Sequence, residues 1–121
     1  MSTINPAAMH EMAEKLMDYL IPLGHPDFCL YVNNQRWYPC LPEHINRTTS
    51  AGTPYSVTEN VDVTKWVDYC NPDTVSLVFE GTLYDAINYG DGSIVDALWE
   101  ILKPYGLYFE KCTYYSMTAM E

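Results

Sequence analysis

The chain reads as an α+β domain: a mainly antiparallel or mixed sheet of about five strands, with an N-terminal helix and two later helices packed on one face. Three observations predict it. Residues 6–20 carry apolar side chains at helical spacing, and residues 74–79 are β-branched and almost continuously apolar. Strand-like and helix-like stretches follow each other without strict alternation, which disfavours a doubly wound parallel sheet. At 121 residues the chain fits one compact domain spanning 1–121. A chain of this length hides roughly two thirds of its unfolded surface, enough for a core without disulfides.

Asn5 followed by Pro6 reads as an N-cap with proline at the first helical position, where its missing N–H costs nothing. Met9, Met12, Ala13, Leu16, Met17 and Leu20 then share one helical face. His10, Glu11, Glu14, Lys15 and Asp18 fall on the other, and Pro22 and Gly24 end the helix. A methionine-rich stripe can serve an adaptable groove, but core packing is the preferred reading. Residues 28–32 and 36–38 form a β-hairpin around Asn33-Asn34-Gln35, because Asn tolerates the positive φ of tight turns. Residues 41–54 have no periodicity and read as a long exposed loop.

From Ser56 the pattern is strand-like, with Val57, Val61 and Val63 on one parity; a short helix over residues 64–70 is the alternative. Cys70-Asn71-Pro72-Asp73 makes a turn, and residues 74–79 form a strand expected to be central. Gly81 breaks that strand, residues 83–88 form a short helix, and Gly90-Asp91-Gly92 is a hinge. Ser93 with Asp96 resembles a capping box opening a last helix whose apolar face holds Ile94, Val95, Leu98, Trp99, Ile101 and Leu102. Pro104 and Gly106 stop it, and a final strand runs from Leu107 to about Met117.

Charge is the strongest functional signal. Sixteen Asp and Glu face six Lys and Arg, a formal net charge of −10. Such a chain repels bare nucleic acid and anionic membranes and is drawn to basic surfaces. The apolar fraction of 48% excludes disorder. The start of the chain has no basic and apolar leader, and no apolar run approaches the ~20 residues of a membrane span. A cytoplasmic protein with reduced cysteines is therefore expected, and the sequon at Asn46-Arg47-Thr48 carries no meaning there. Eleven tyrosines suit a half-buried sheet and, secondarily, a contact surface.

The candidate partner-binding residues are acidic. Glu11, Glu14 and Asp18 line one flank of the first helix, and Glu80, Asp85, Asp91, Asp96 and Glu100 form a run without an intervening Lys or Arg. On one surface they would imitate a phosphate backbone; dispersed, they are a solubilising coat. The second constellation is His25-x3-Cys29 with Cys40-x3-His44, mirror images about the hairpin turn and of the residue types that hold tetrahedral zinc. A turn at Asn34-Gln35 would set Cys29 opposite Cys40; a turn centred on Asn33-Asn34 would not. Four residues of extended strand also span about 13 Å, too far for one ion, so buried thiols are the preferred reading. No hydrolase elbow, P-loop, zincin helix or dinucleotide loop occurs, so neither catalysis nor a cofactor is expected.

The run from Phe79 through Glu80-Gly81-Thr82-Leu83-Tyr84-Asp85-Ala86-Ile87-Asn88-Tyr89 to Gly90, with Lys103-Pro104-Tyr105-Gly106-Leu107-Tyr108, resembles small acidic accessory proteins of bacterial phages and mobile elements. The resemblance covers about a quarter of the chain and carries over no functional residue. It implies a context in which inhibitors of host defence occur, among them anti-CRISPR and antirestriction proteins that mimic DNA. The leading expectation is a non-enzymatic binder whose anionic face occupies a basic, nucleic-acid-binding surface of a host defence protein. One alternative is a small-molecule or metal-binding domain using the hairpin and loop of residues 25–54. The other is a self-associating module pairing through the terminal Tyr-rich strand.

Overall fold

The computed structural model describes residues 4–39 and 46–121. Its elements are helix α1 (Pro6–Leu20), strands β1 (Phe28–Val32), β2 (Gln35–Tyr38), β3 (Arg47–Thr48), β4 (Pro54–Thr58) and β5 (Ser76–Phe79), helices α2 (Gly81–Tyr89) and α3 (Ser93–Leu102), and strands β6 (Tyr108–Thr113) and β7 (Ser116–Met120). The strands form one sheet of seven in the order β3-β4-β2-β1-β5-β7-β6, and every adjacent pair is antiparallel. The α+β class holds, with seven strands where about five were expected. The two extra strands come from Arg47–Thr48, inside the expected loop, and from division of the last strand at Tyr114-Tyr115.

The first helix follows its sequence signals closely. Asn5 Oδ1 accepts the Ala8 N–H at 2.9 Å, and all six residues of the apolar stripe are buried. They pack on one face of the sheet with Leu30 of β1, Trp37 of β2, Leu77 and Phe79 of β5 and Ala119 of β7. Leu83 and Ile87 of α2 and Leu98 and Leu102 of α3 complete this core. Alternation along each strand sends the remaining side chains to the opposite face.

Among the described residues no α-helix covers that opposite face. Residues 61–70 cross it as a thin cap, with one turn of 3-10 helix at Val63–Lys65. Val63 and Val67 press on Cys29 and Tyr31, with Val61, Cys70, Val78 and Cys112 around them. The expected strand through Val57, Val61 and Val63 is thus corrected. β4 ends at Thr58, Asn60 adopts φ 58°, and the chain leaves the strand. Val57 consequently lies in the helix-side core and Val63 on the other side of the sheet.

Two turn readings are also resolved. The first hairpin turns at Asn33-Asn34, with φ 52° and 60° and Val32 opposite Gln35, the geometry of a type I′ turn. At the start of α3, Gly92 is the N-cap and the Ser93 N–H bonds to Asp91 Oδ1 at 2.9 Å, so Asp91 does the capping expected of Ser93.

Candidate functional site

The acidic residues divide into three groups. On α1 they are committed to the chain itself. Tyr105 Oη donates to Glu11 Oε1 at 2.6 Å, with Lys15 Nζ 3.2 Å away, and these contacts hold the Glu11 carboxyl below its usual range. Glu14 accepts the Ser50 N–H and hydroxyl at 3.2 and 3.0 Å, and Asp18 accepts the Thr49 hydroxyl at 2.6 Å. Asp91 accepts the Ser93 N–H just before α3, and its bonds to Ser93 hold its carboxyl low. Asp96 and Glu100 lie exposed on the outer flank of α3.

The third group sits where α2 meets the β6–β7 turn. Glu80 and Asp85 are exposed there, on consecutive turns of the α2 region. The Glu80 N–H bonds to Asp27 O at 2.8 Å, which brings a further carboxylate, Asp27, to the start of α2. Tyr84 and Tyr89 meet edge to face at 6.3 Å. Asn88 Nδ2 donates to Tyr114 O at 3.0 Å, and Asn88 Oδ1 accepts from Lys111 Nζ, tying the turn to the helix. Tyr89 is 76% exposed and Tyr114 77%, an unusual degree of solvent contact for side chains this large.

Beside this end a groove of about 420 Å³ opens on the helix-free face, its floor made by β1, β2 and β5. Cys29 and Tyr31 project from β1 and Arg36 from β2; Glu80 follows β5 directly. Tyr38, Trp66 and Tyr115 form aromatic walls, with the Arg36 guanidinium 5.5 Å from the Tyr38 ring centre. Burial pushes the Cys29 thiol up, and burial with the neighbouring Cys29 pushes the Tyr31 phenol up to about 12. Both are neutral hydrogen-bonding groups at neutral pH. Burial likewise raises Cys70 and Cys112, the reverse of what an activated thiol needs.

Of the basic side chains, Lys15 and Arg47 have carboxylate partners, Glu11 and Glu59, at 3.2 and 3.1 Å. Arg36 has no carboxylate within ion-pair distance among the described residues, although Glu80 and Asp27 line the same groove.

The zinc reading loses its premise. The register that would bring Cys29 opposite Cys40 requires a turn at Asn34-Gln35, whereas the turn is Asn33-Asn34. His25 Nδ1 is 2.8 Å from the Thr82 hydroxyl, and Cys40 and His44 lie outside the described residues. Among the described residues no three His, Cys, Asp or Glu side chains are grouped to hold a metal ion. Likewise, no helix among them is long and apolar enough to cross a membrane.

Sequence reasoning missed the groove. Its signals were present in Cys29 and Tyr31 on the polar-side parity of β1, and in Trp66 standing alone within a polar stretch. Comparison with protein-family models, curated proteins and solved structures gives no match to this chain.

Proposed function

We propose that this chain is a non-enzymatic, acidic binding protein that engages a basic surface of a protein partner through the end formed by α2 and the β6–β7 turn. The observation that carries the reading is the meeting there of half-buried Tyr84 with exposed Tyr89 and Tyr114, beside the carboxylate of Asp85 and with those of Asp27 and Glu80 at the start of the same helix. Tyrosine supplies a large contact area at small entropic cost and dominates many interface energies. Carboxylates around it select lysine and arginine on the partner and speed the encounter. The net charge of −10 acts in the same direction. Proteins that handle nucleic acid carry basic surfaces of the required sign, and one of these, such as a host defence protein, is the partner class favoured. The acids of α1 contribute long-range field only, because Glu11, Glu14 and Asp18 are bonded within the chain.

Titration of short oligoarginine and oligolysine peptides into ¹⁵N-labelled protein tests this. Shift changes are expected to concentrate at residues 80–89 and 110–116, with affinity falling at least about tenfold between low and physiological salt. Joint Glu80→Lys and Asp85→Lys replacement should abolish them, and Asp96→Lys with Glu100→Lys should leave them in place. Changes spread evenly over α1 and α3, or affinity indifferent to salt, would reject the reading.

A further inference from the structure

The groove on the helix-free face has a chemistry distinct from the acidic end. It holds a cation and an anion that do not close on each other. Arg36 leans over Tyr38 on one side, and Glu80 stands on the other. Their strands are separated by β1 alone in the sheet order, about 10 Å backbone to backbone. Arg36, Glu80 and the Cys29 thiol all line the same groove. The fold therefore leaves a gap between opposite charges, floored by a neutral thiol and the Tyr31 hydroxyl and walled by Tyr38, Trp66 and Tyr115. Its volume of about 420 Å³ falls within the range of small-ligand sites.

We propose that this groove binds a small zwitterion with a planar apolar body, of the class of a free aromatic α-amino acid. Its carboxylate would take the Arg36 guanidinium, which suits a planar two-oxygen acceptor. Its ammonium would face Glu80 and Asp27, and its ring would lie against Trp66 and Tyr38. A simple anion is disfavoured by the two carboxylates that line the groove, and a simple cation by Arg36. Trp66 is 67% exposed although it stands on the cap that covers this face, so its ring is available to a ligand.

The test is a titration of the ¹⁵N-labelled protein with L-tryptophan and L-phenylalanine, beside phenethylamine, which lacks the carboxylate, and 3-phenylpropionate, which lacks the ammonium. The expected result is saturable binding with Kd of about 0.1–1 mM, read at the Trp66 indole and the amides of Cys29, Arg36 and Tyr38. Each truncated analogue should bind about tenfold or more weakly. Arg36→Gln should produce a similar loss. Trp66→Ala, an exposed position whose change leaves the fold intact, should weaken the amino acids and give an unchanged spectrum elsewhere. Absence of saturable shifts in the groove, equal binding of phenethylamine, or unaltered affinity in Arg36→Gln or Trp66→Ala would overturn the proposal. The oligolysine experiment can fail or succeed independently, because apart from Glu80 and Tyr115 its reporting residues lie outside the groove, on α2 and the β6–β7 hairpin, whereas Trp66, Cys29, Arg36 and Tyr38 report on the groove.

Discussion

The two faces of the sheet are closed by different physics. On one, three helices bring long apolar side chains onto Leu30, Trp37, Leu77 and Phe79. On the other, a thin cap contributes Val63 and Val67, and much of the remaining area is a row of buried hydroxyls. Ser76 and Thr118 are 3.0 Å apart there, the Asn71 N–H reaches Thr118 Oγ1 at 2.8 Å, and the Thr74 hydroxyl reaches Ala119 O at 2.6 Å. Stability is concentrated on the helical face. The capped face holds the cap by directed bonds, and where the cap ends it leaves a groove. Sites for ligands belong where packing is thin, because a filled core has no room for them.

The sharpest way to break this contrast is to truncate one buried apolar side chain on each side. Leu16→Ala empties a fully buried position between α1 and the sheet and should cost about 2–5 kcal/mol in chemical denaturation. Val63→Ala on the cap should cost about 1 kcal/mol. Similar losses from the two would mean that the cap is as much a core as the helical face.

How much was legible follows the same division. The α1 stripe was readable residue by residue, because helical periodicity and an Asn-Pro start are local signals. Strand β5 was readable because it is covered on both faces and therefore almost continuously apolar after Ser76. The cap was not. Val57, Val61 and Val63 keep strand parity, and the departure is made at Asn60, whose positive φ has no periodic signature. The last hairpin failed similarly, since Tyr114-Tyr115 is a turn without Gly, Pro or Asn. For the site, sequence supplied the acids but not their partners. Thr49, Ser50 and Tyr105, which absorb the α1 carboxylates, are distant in sequence and carry no charge.

Alkaline pH probes the capped face through Tyr31. Tyr31 ionises near 12 in the folded protein against 10.0 for a free phenol, because burial beside Cys29 disfavours the phenolate. Above the unfolded value the unfolded chain releases this proton while the folded chain keeps it, so unfolding gains protonic free energy as pH rises. The stability tied to Tyr31 is therefore complete below pH 10 and lost progressively toward pH 12, at most about 2–3 kcal/mol. Stability curves of the wild type and Tyr31→Phe should converge or cross over that window. Parallel curves would show that the phenol is hydrated and that the cap does not seal β1.

A finer test asks whether hydroxyls, rather than apolar area, hold the cap. Thr118 is 1% exposed, and its oxygen accepts the Asn71 N–H while meeting Ser76 Oγ. Thr118→Val keeps the shape and adds apolar surface, so an area argument forecasts a neutral or stabilising change. The hydrogen-bond argument forecasts the opposite. The Asn71 N–H would stay buried without an acceptor, and Ser76 would lose its neighbour, a cost of about 1–3 kcal/mol. The loss should be local first: amide exchange of residues 61–74 should accelerate while α1 keeps its protection. The double change Ser76→Ala with Thr118→Val should recover part of the loss, because it removes both hydroxyls of the pair and leaves the Asn71 N–H as the remaining deficit. A neutral Thr118→Val would instead make the capped face an ordinary, if smaller, apolar layer.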